Sequence, residues 1–277
     1  MTLSARNNIF RLGIVLSFLC LLICLFTSLK AMAVYASMEQ EITRRSDGLF
    51  QILAGKLFDT KLLAVHWCVT GMVLYSFLSI ILIYFFFEKT QSPEILFVVF
   101  FAASFAPEAL RLLLPLSRVY EIPSLYLLMA SRVTLFGRYF GIFSLFTASI
   151  YAVGFRAQEQ RNVVLIIAVI TLIITLGVPI DTEAWDSGLN MISGYVSMFR
   201  LIEVGAFLII TLSFFIAAWS NSSREFAFIG AGSALAILGR HILLNADAWA
   251  ALPTGLLLLT IGTWLICTKL HKIYLWL

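Results

Sequence analysis

The chain is 277 residues long, 61% hydrophobic and 12% charged, with a formal net charge of +4. Soluble domains carry about 25% charged residues, so a mean hydropathy of +0.98 excludes an ordinary water-soluble domain and points to a polytopic membrane protein. The small positive balance fits basic connectors beside a bilayer and calls for no nucleic-acid partner.

Eight apolar runs are long enough to cross a bilayer, which takes about 20 helical residues. They cover residues 12–29, 62–87, 95–115, 122–155, 163–180, 201–219, 226–244 and 249–267. The expected fold is all-α: a polytopic transmembrane helical bundle of about eight spans, one integral membrane domain over residues 1–277. A β-barrel is excluded, because its strands alternate polar and apolar residues. Cys20, Cys24, Cys68 and Cys267 all fall inside predicted spans. They read as small apolar residues, not as a disulfide framework or zinc site.

The first run follows Arg6 and Arg11, and Ala31-Met32-Ala33 offers a signal-peptide cleavage pattern. The 18 apolar residues before Lys30 exceed the usual h-region of about 7–15, which favours an uncleaved span. In the long connector 30–61, Leu49, Phe50, Ile52, Leu53, Leu57 and Phe58 recur at helical spacing. They suggest either an amphipathic surface helix or an extension of the second span. Pro107 lacks an N–H and should kink the third span. Gly137/Gly141 in the fourth span, and Gly230/Ala234 and Gly232/Ala236 in the seventh, allow helix backbones to approach closely. Trp185 and Trp249 fall at a predicted membrane interface. With the N-terminus inside, one side holds Lys89, Arg156, Arg161, Arg224, Lys269 and Lys272 after the second span, and the other only Arg118. That supports an N-in/C-in arrangement in the cell (inner) membrane, although Lys30, Arg44, Arg45, Lys56 and Lys61 in the first outer connector run against it.

Arg132 and Arg138 interrupt the fourth apolar run. Each costs about 2.5–3.5 kcal/mol at mid-span and cannot shed its charge. Glu108, Arg111, Arg200, Glu203, Arg240, His66 and His241 also lie in or at the rim of spans. Alternating span directions place nearly all of these in the outer half. Glu108/Arg111 and Arg200/Glu203 are i,i+3 pairs, and Thr134 precedes Arg138 by one turn. These positions predict a polar pocket between the third, fourth, sixth and seventh spans, open to the outside, beneath the acidic connector 181–186. Its candidate ligand-binding residues are Glu108, Arg111, Arg132, Arg138, Arg200, Glu203, Arg240 and His241. Five arginines against two glutamates leave three positive charges, which suit an anionic small molecule or a lipid head group. The alternative is that the arginines only staple helices together, satisfied by Glu108, Glu203, Asp181 and helix-end carbonyls.

No G-x-S-x-G, H-E-x-x-H or P-loop motif occurs, and no catalytic residue is assigned. Three histidines without motif spacing give no metal or haem site, so no cofactor is implied. The inner half of the bundle reads as dry. The sequence therefore points to a non-enzymatic module that binds or senses an anion and signals through a separate protein partner, since the tail after Cys267 is short. A transporter or flippase-type carrier of an anion stays open, as does an intramembrane enzyme acting on a lipid-linked substrate with Glu108 or Glu203 as acid/base.

Overall fold

The computed structural model describes residues 2–42, 62–88, 92–154, 160–186, 188–246 and 248–275. The segment 49–58, Lys89, Arg156 and Asp247 lie outside the described residues. Helices α1 (Leu3–Ile42) and α2 (Leu62–Phe87) open the chain. Helix α3 (Pro93–Ala103), a 3₁₀ segment (Ala106–Leu112) and α4 (Leu113–Tyr120) follow, then α5 (Ser124–Val153) and α6 (Gln160–Gly177). A hairpin of β1 (Ile180–Trp185) and β2 (Met191–Ser193) precedes α7 (Val196–Ser220), α8 (Arg224–Leu244) and α9 (Ala251–Leu275). Among the described residues, eight helical stretches are long and apolar enough to cross a membrane, with α3, the 3₁₀ segment and α4 together forming the third.

Two element assignments differ from the sequence expectation. The first apolar helix starts at Leu3, not near residue 12. Arg6 is tolerated there because its Nη2 donates to the Phe87 and Glu88 carbonyls at 2.7 and 3.1 Å, where α2 runs out of helical partners. The connector expected as an acidic loop is an antiparallel hairpin, pairing Ile180 with Ser193 and Trp185 with Met191. Its base is closed by Gly194 N–H donating to the Pro179 carbonyl at 2.8 Å.

The third span is the most enclosed of the eight; α1, α2 and α5 pack around it. Helices α8 and α9 form the closest helix pair, and small residues make that approach possible. A Cβ on Gly232 would come within 2.9 Å of the Gly262 carbonyl, and one on Gly239 within 2.7 Å of the Gly255 carbonyl. Arg6 meets the end of α2, and Tyr274 donates to Glu94 at 2.7 Å. Both chain termini thus lie at one end of the bundle, and the hairpin lies at the other.

Candidate functional site

The site begins with the break in the third span. Pro107 cannot donate the next helical hydrogen bond. Helix α3 ends at Ala103, and Glu108 N–H donates to the Phe105 carbonyl three residues back at 3.2 Å. In a 3₁₀ helix residues i and i+3 eclipse each other. That stacks Arg111 on Glu108, with Arg111 Nη1 donating to Oε2 at 3.0 Å.

The fourth span supplies the second guanidinium. Gly137 and Gly141 turn toward the break: a Cβ on Gly137 would lie 3.0 Å from the Ser104 carbonyl, and one on Gly141 would overlap the Ser104 side chain. This close approach brings Arg138 onto Glu108. Arg138 Nε donates to Oε1 at 2.7 Å and Nη2 to Oε2 at 2.8 Å, a two-pronged pairing that fixes both partners. The Glu108 side chain is 1% exposed. The Thr134 hydroxyl lies 3.2 Å from the Pro107 carbonyl, an acceptor made available by the helix break.

The hairpin closes this arrangement. Arg138 Nη2 also donates to Asn190 Oδ1 at 2.6 Å, and Arg111 Nη2 donates to the Gly188 carbonyl. Asp186 orients Asn190: its Oδ1 accepts the Asn190 backbone N–H at 2.7 Å, and both its oxygens accept from Nδ2. The amide oxygen is therefore left facing Arg138. Leu189 between them is buried and holds φ 58°, a left-handed conformation costing about 1–3 kcal/mol for a non-glycine residue. Burial and the Arg111 bond to its neighbour offset that cost.

Arg240 reaches the network from α8, donating from Nη2 to the Arg138 carbonyl at 2.8 Å. It is 4% exposed and makes no other hydrogen bond with a described residue. Two hollows flank this junction. One, of about 290 Å³, lies under the hairpin and is lined by Arg111, Arg138, Ser131, Asp186, Asn190 and Ser193 among others. The second, of about 240 Å³, lies between α7 and α8 and includes Arg200, Glu203, Arg240 and His241.

Of the eight sequence candidates, Glu108, Arg111, Arg138 and Arg240 are joined in one hydrogen-bonded network. Arg200, Glu203 and His241 are brought together with Arg240 in the second hollow, so the single expected pocket is divided in two. Arg132 is not part of either. Its Nη1 donates to the Thr175 and Leu176 carbonyls at 2.8 Å each, satisfying the free C-terminal acceptors of α6. His66 lies apart as well, its Nε2 2.6 Å from Ser28 Oγ. No group of three or more metal-ligating side chains occurs among the described residues. Gly188 and Asn190 belong to the site and are absent from the sequence candidates; the signal for them is the Asp-x-Gly-x-Asn run, which marks a turn. Comparison with family models, curated proteins and solved structures finds no match to this chain.

Proposed function

We propose that this chain is a multi-pass protein of the cell membrane, with both termini inside, that binds an anionic small molecule or lipid head group beside Arg138. One observation carries the reading. Two guanidinium groups, those of Arg111 and Arg138, share the single buried carboxylate of Glu108, and a third, that of the buried Arg240, donates to the Arg138 carbonyl beside them. Of the further carboxylates, Asp186 is exposed and occupied by Asn190, and Glu203 lines the second hollow with Arg240 without an ion pair within 4.0 Å. Buried positive charge in hydrocarbon faces a polar cavity or a counter-charge, and the planar guanidinium fork matches carboxylate and phosphate oxygens.

Packing favours binding over passage. Below the network Phe97, Phe101, Phe105 and Leu145 are fully buried and pack the interior with apolar side chains. Glu108 serves as a charge partner rather than a proton carrier, since two guanidinium groups hold both of its oxygens. Any signal is passed to a separate protein.

The test is thiol protection in intact cells. Ser193→Cys, in an otherwise cysteine-free background, places a thiol on the hollow under the hairpin. An impermeant maleimide added outside should label it, inorganic phosphate should slow labelling saturably, and Ser131→Phe, which fills the hollow, should abolish that protection. Labelling only after permeabilisation would reverse the orientation. Labelling that phosphate does not slow would remove the anion site.

A further inference from the structure

The second hollow differs from the first in ways that narrow its ligand. It runs as a groove between α7 and α8. Its charged residues sit together at the hairpin end: Arg200 and Glu203 near the start of α7, and Arg240 and His241 near the end of α8. Toward the opposite end the lining turns apolar, with Ile142, Val204, Phe207, Ile237 and Leu238. The groove is also open at its side. Val204 and Leu238 on its rims are 54% and 46% exposed, so in a membrane they face acyl chains rather than water. A ligand reaching this groove along the bilayer therefore meets a cationic end at head-group depth and an apolar trough below it.

The donors at that end have capacity to spare. Arg240 is buried and uses one N–H, on the Arg138 carbonyl. Among the described residues, the side chains of Arg200 and Glu203 form neither a hydrogen bond nor an ion pair within 4.0 Å, although they share a helix face. Two arginines and one glutamate leave one positive charge, which a single phosphodiester neutralises.

We propose that the α7–α8 groove is a binding site for a monoanionic glycerophospholipid. Its phosphodiester lies between Arg200 and Arg240, a head-group hydroxyl donates to Glu203, and one acyl chain follows Val204, Phe207 and Leu238. The proposal shares with the reading above the attraction of anions to this end of the bundle, but it concerns a separate hollow. A zwitterionic head group would bring its own positive charge and leave the excess in place, so selectivity for the monoanionic lipid is part of the proposal.

The purified full chain in nonionic detergent is incubated with phosphatidylglycerol, with phosphatidylcholine of matched chains, or with the soluble glycerophosphoglycerol head group, and bound molecules are counted by native mass spectrometry. Wild type should retain phosphatidylglycerol over phosphatidylcholine by about tenfold, and the soluble head group should bind at least tenfold more weakly than the lipid. Arg200→Gln removes one phosphate donor and Leu238→Trp fills the trough without changing charge. Each should lower phosphatidylglycerol retention about tenfold, while Ser131→Phe, which blocks only the hollow under the hairpin, should leave it unchanged. Equal retention of both lipids, or unchanged retention in Arg200→Gln or Leu238→Trp, overturns the proposal. Soluble head group bound as tightly as lipid overturns it in favour of a free anion. Phosphate protection of Ser193→Cys reports on the first hollow alone, so each reading can fail without the other.

Discussion

At the hairpin end, Glu108 is enclosed by Arg111 and Arg138 at 3.0 and 2.7 Å with its side chain 1% exposed. At the opposite end, Glu225 holds Lys269 and Lys272 at 2.9 and 2.6 Å, but 21% of its side chain remains exposed. The distances are alike and the chemistry is not. Lysines on flexible stems can turn to water when a partner is lost, whereas two planar guanidinium groups locked behind a hairpin cannot. The terminal end also contains a buried carboxylate, Glu94, yet it is served by hydroxyl donors, Ser92 at 2.8 Å and Tyr274 at 2.7 Å, at the start of α3. Among the described residues, only the hairpin end commits two enclosed guanidinium groups to one anion. The number of ion pairs therefore does not set an end's contribution; the absence of an alternative partner does.

The largest expected effect follows from that difference. Glu108→Gln keeps the shape of the side chain but removes the counter-charge of Arg111 and Arg138. Breaking a buried ion pair from one side costs about 3–5 kcal/mol. Thermal unfolding of the purified variant in detergent should show a large fall in stability, in contrast to an equivalent change at Glu225. Equal losses at the two positions would erase the distinction between the ends.

Part of this contrast was legible in the sequence. The eight apolar stretches and the break at Pro107 followed from hydropathy and from the missing N–H. The division of labour between Arg132 and Arg138 also had a signal, in helix geometry rather than in depth. Six residues at 3.6 per turn place the two side chains about a third of a turn apart. Arg132 therefore turns to the end of α6 while Arg138 turns to the break. What the sequence did not offer was the partner on the far side of the hairpin. Strands of six and three residues are too short for a clear period-2 pattern, and Asn190 acts only because Asp186 fixes its amide. Nor does spacing along a helix show that the Arg138 backbone and Arg240 would split one expected pocket into two.

A middle-sized effect tests how the enclosure is built. Gly141→Ala would drive a methyl group into the Ser104 side chain where α5 meets the break, and overpacking of this kind costs about 1–3 kcal/mol. Gly205→Ala on α7 meets nothing within 4 Å, so there the helix preference of alanine should leave stability unchanged or slightly raised. The pair is read by the same unfolding assay. Combining Gly141→Ala with Ser104→Ala should recover part of the loss, because it removes Oγ, the nearer of the two Ser104 atoms that the new methyl meets. No recovery would mean that the position of the residue 104 backbone and Cβ, rather than the hydroxyl, limits the approach of Arg138 to Glu108.

The smallest effect belongs to the exposed pair. Glu225→Gln removes the partner of Lys269 and Lys272, but both ammonium groups can reach water, and exposed pairs are worth about 0.2–1 kcal/mol. Salt separates the two ends more sharply than the size of the loss does. At about 1 M salt the screening length falls to about 3 Å, so the Glu225→Gln difference should vanish. The Glu108→Gln difference should persist, because protein encloses Glu108 on all sides and mobile ions do not reach its oxygens. A Glu108→Gln penalty that fades with salt in step with the Glu225→Gln penalty would show that water reaches the buried network from the hollow under the hairpin. The arginines there would then be solvated cations rather than committed partners.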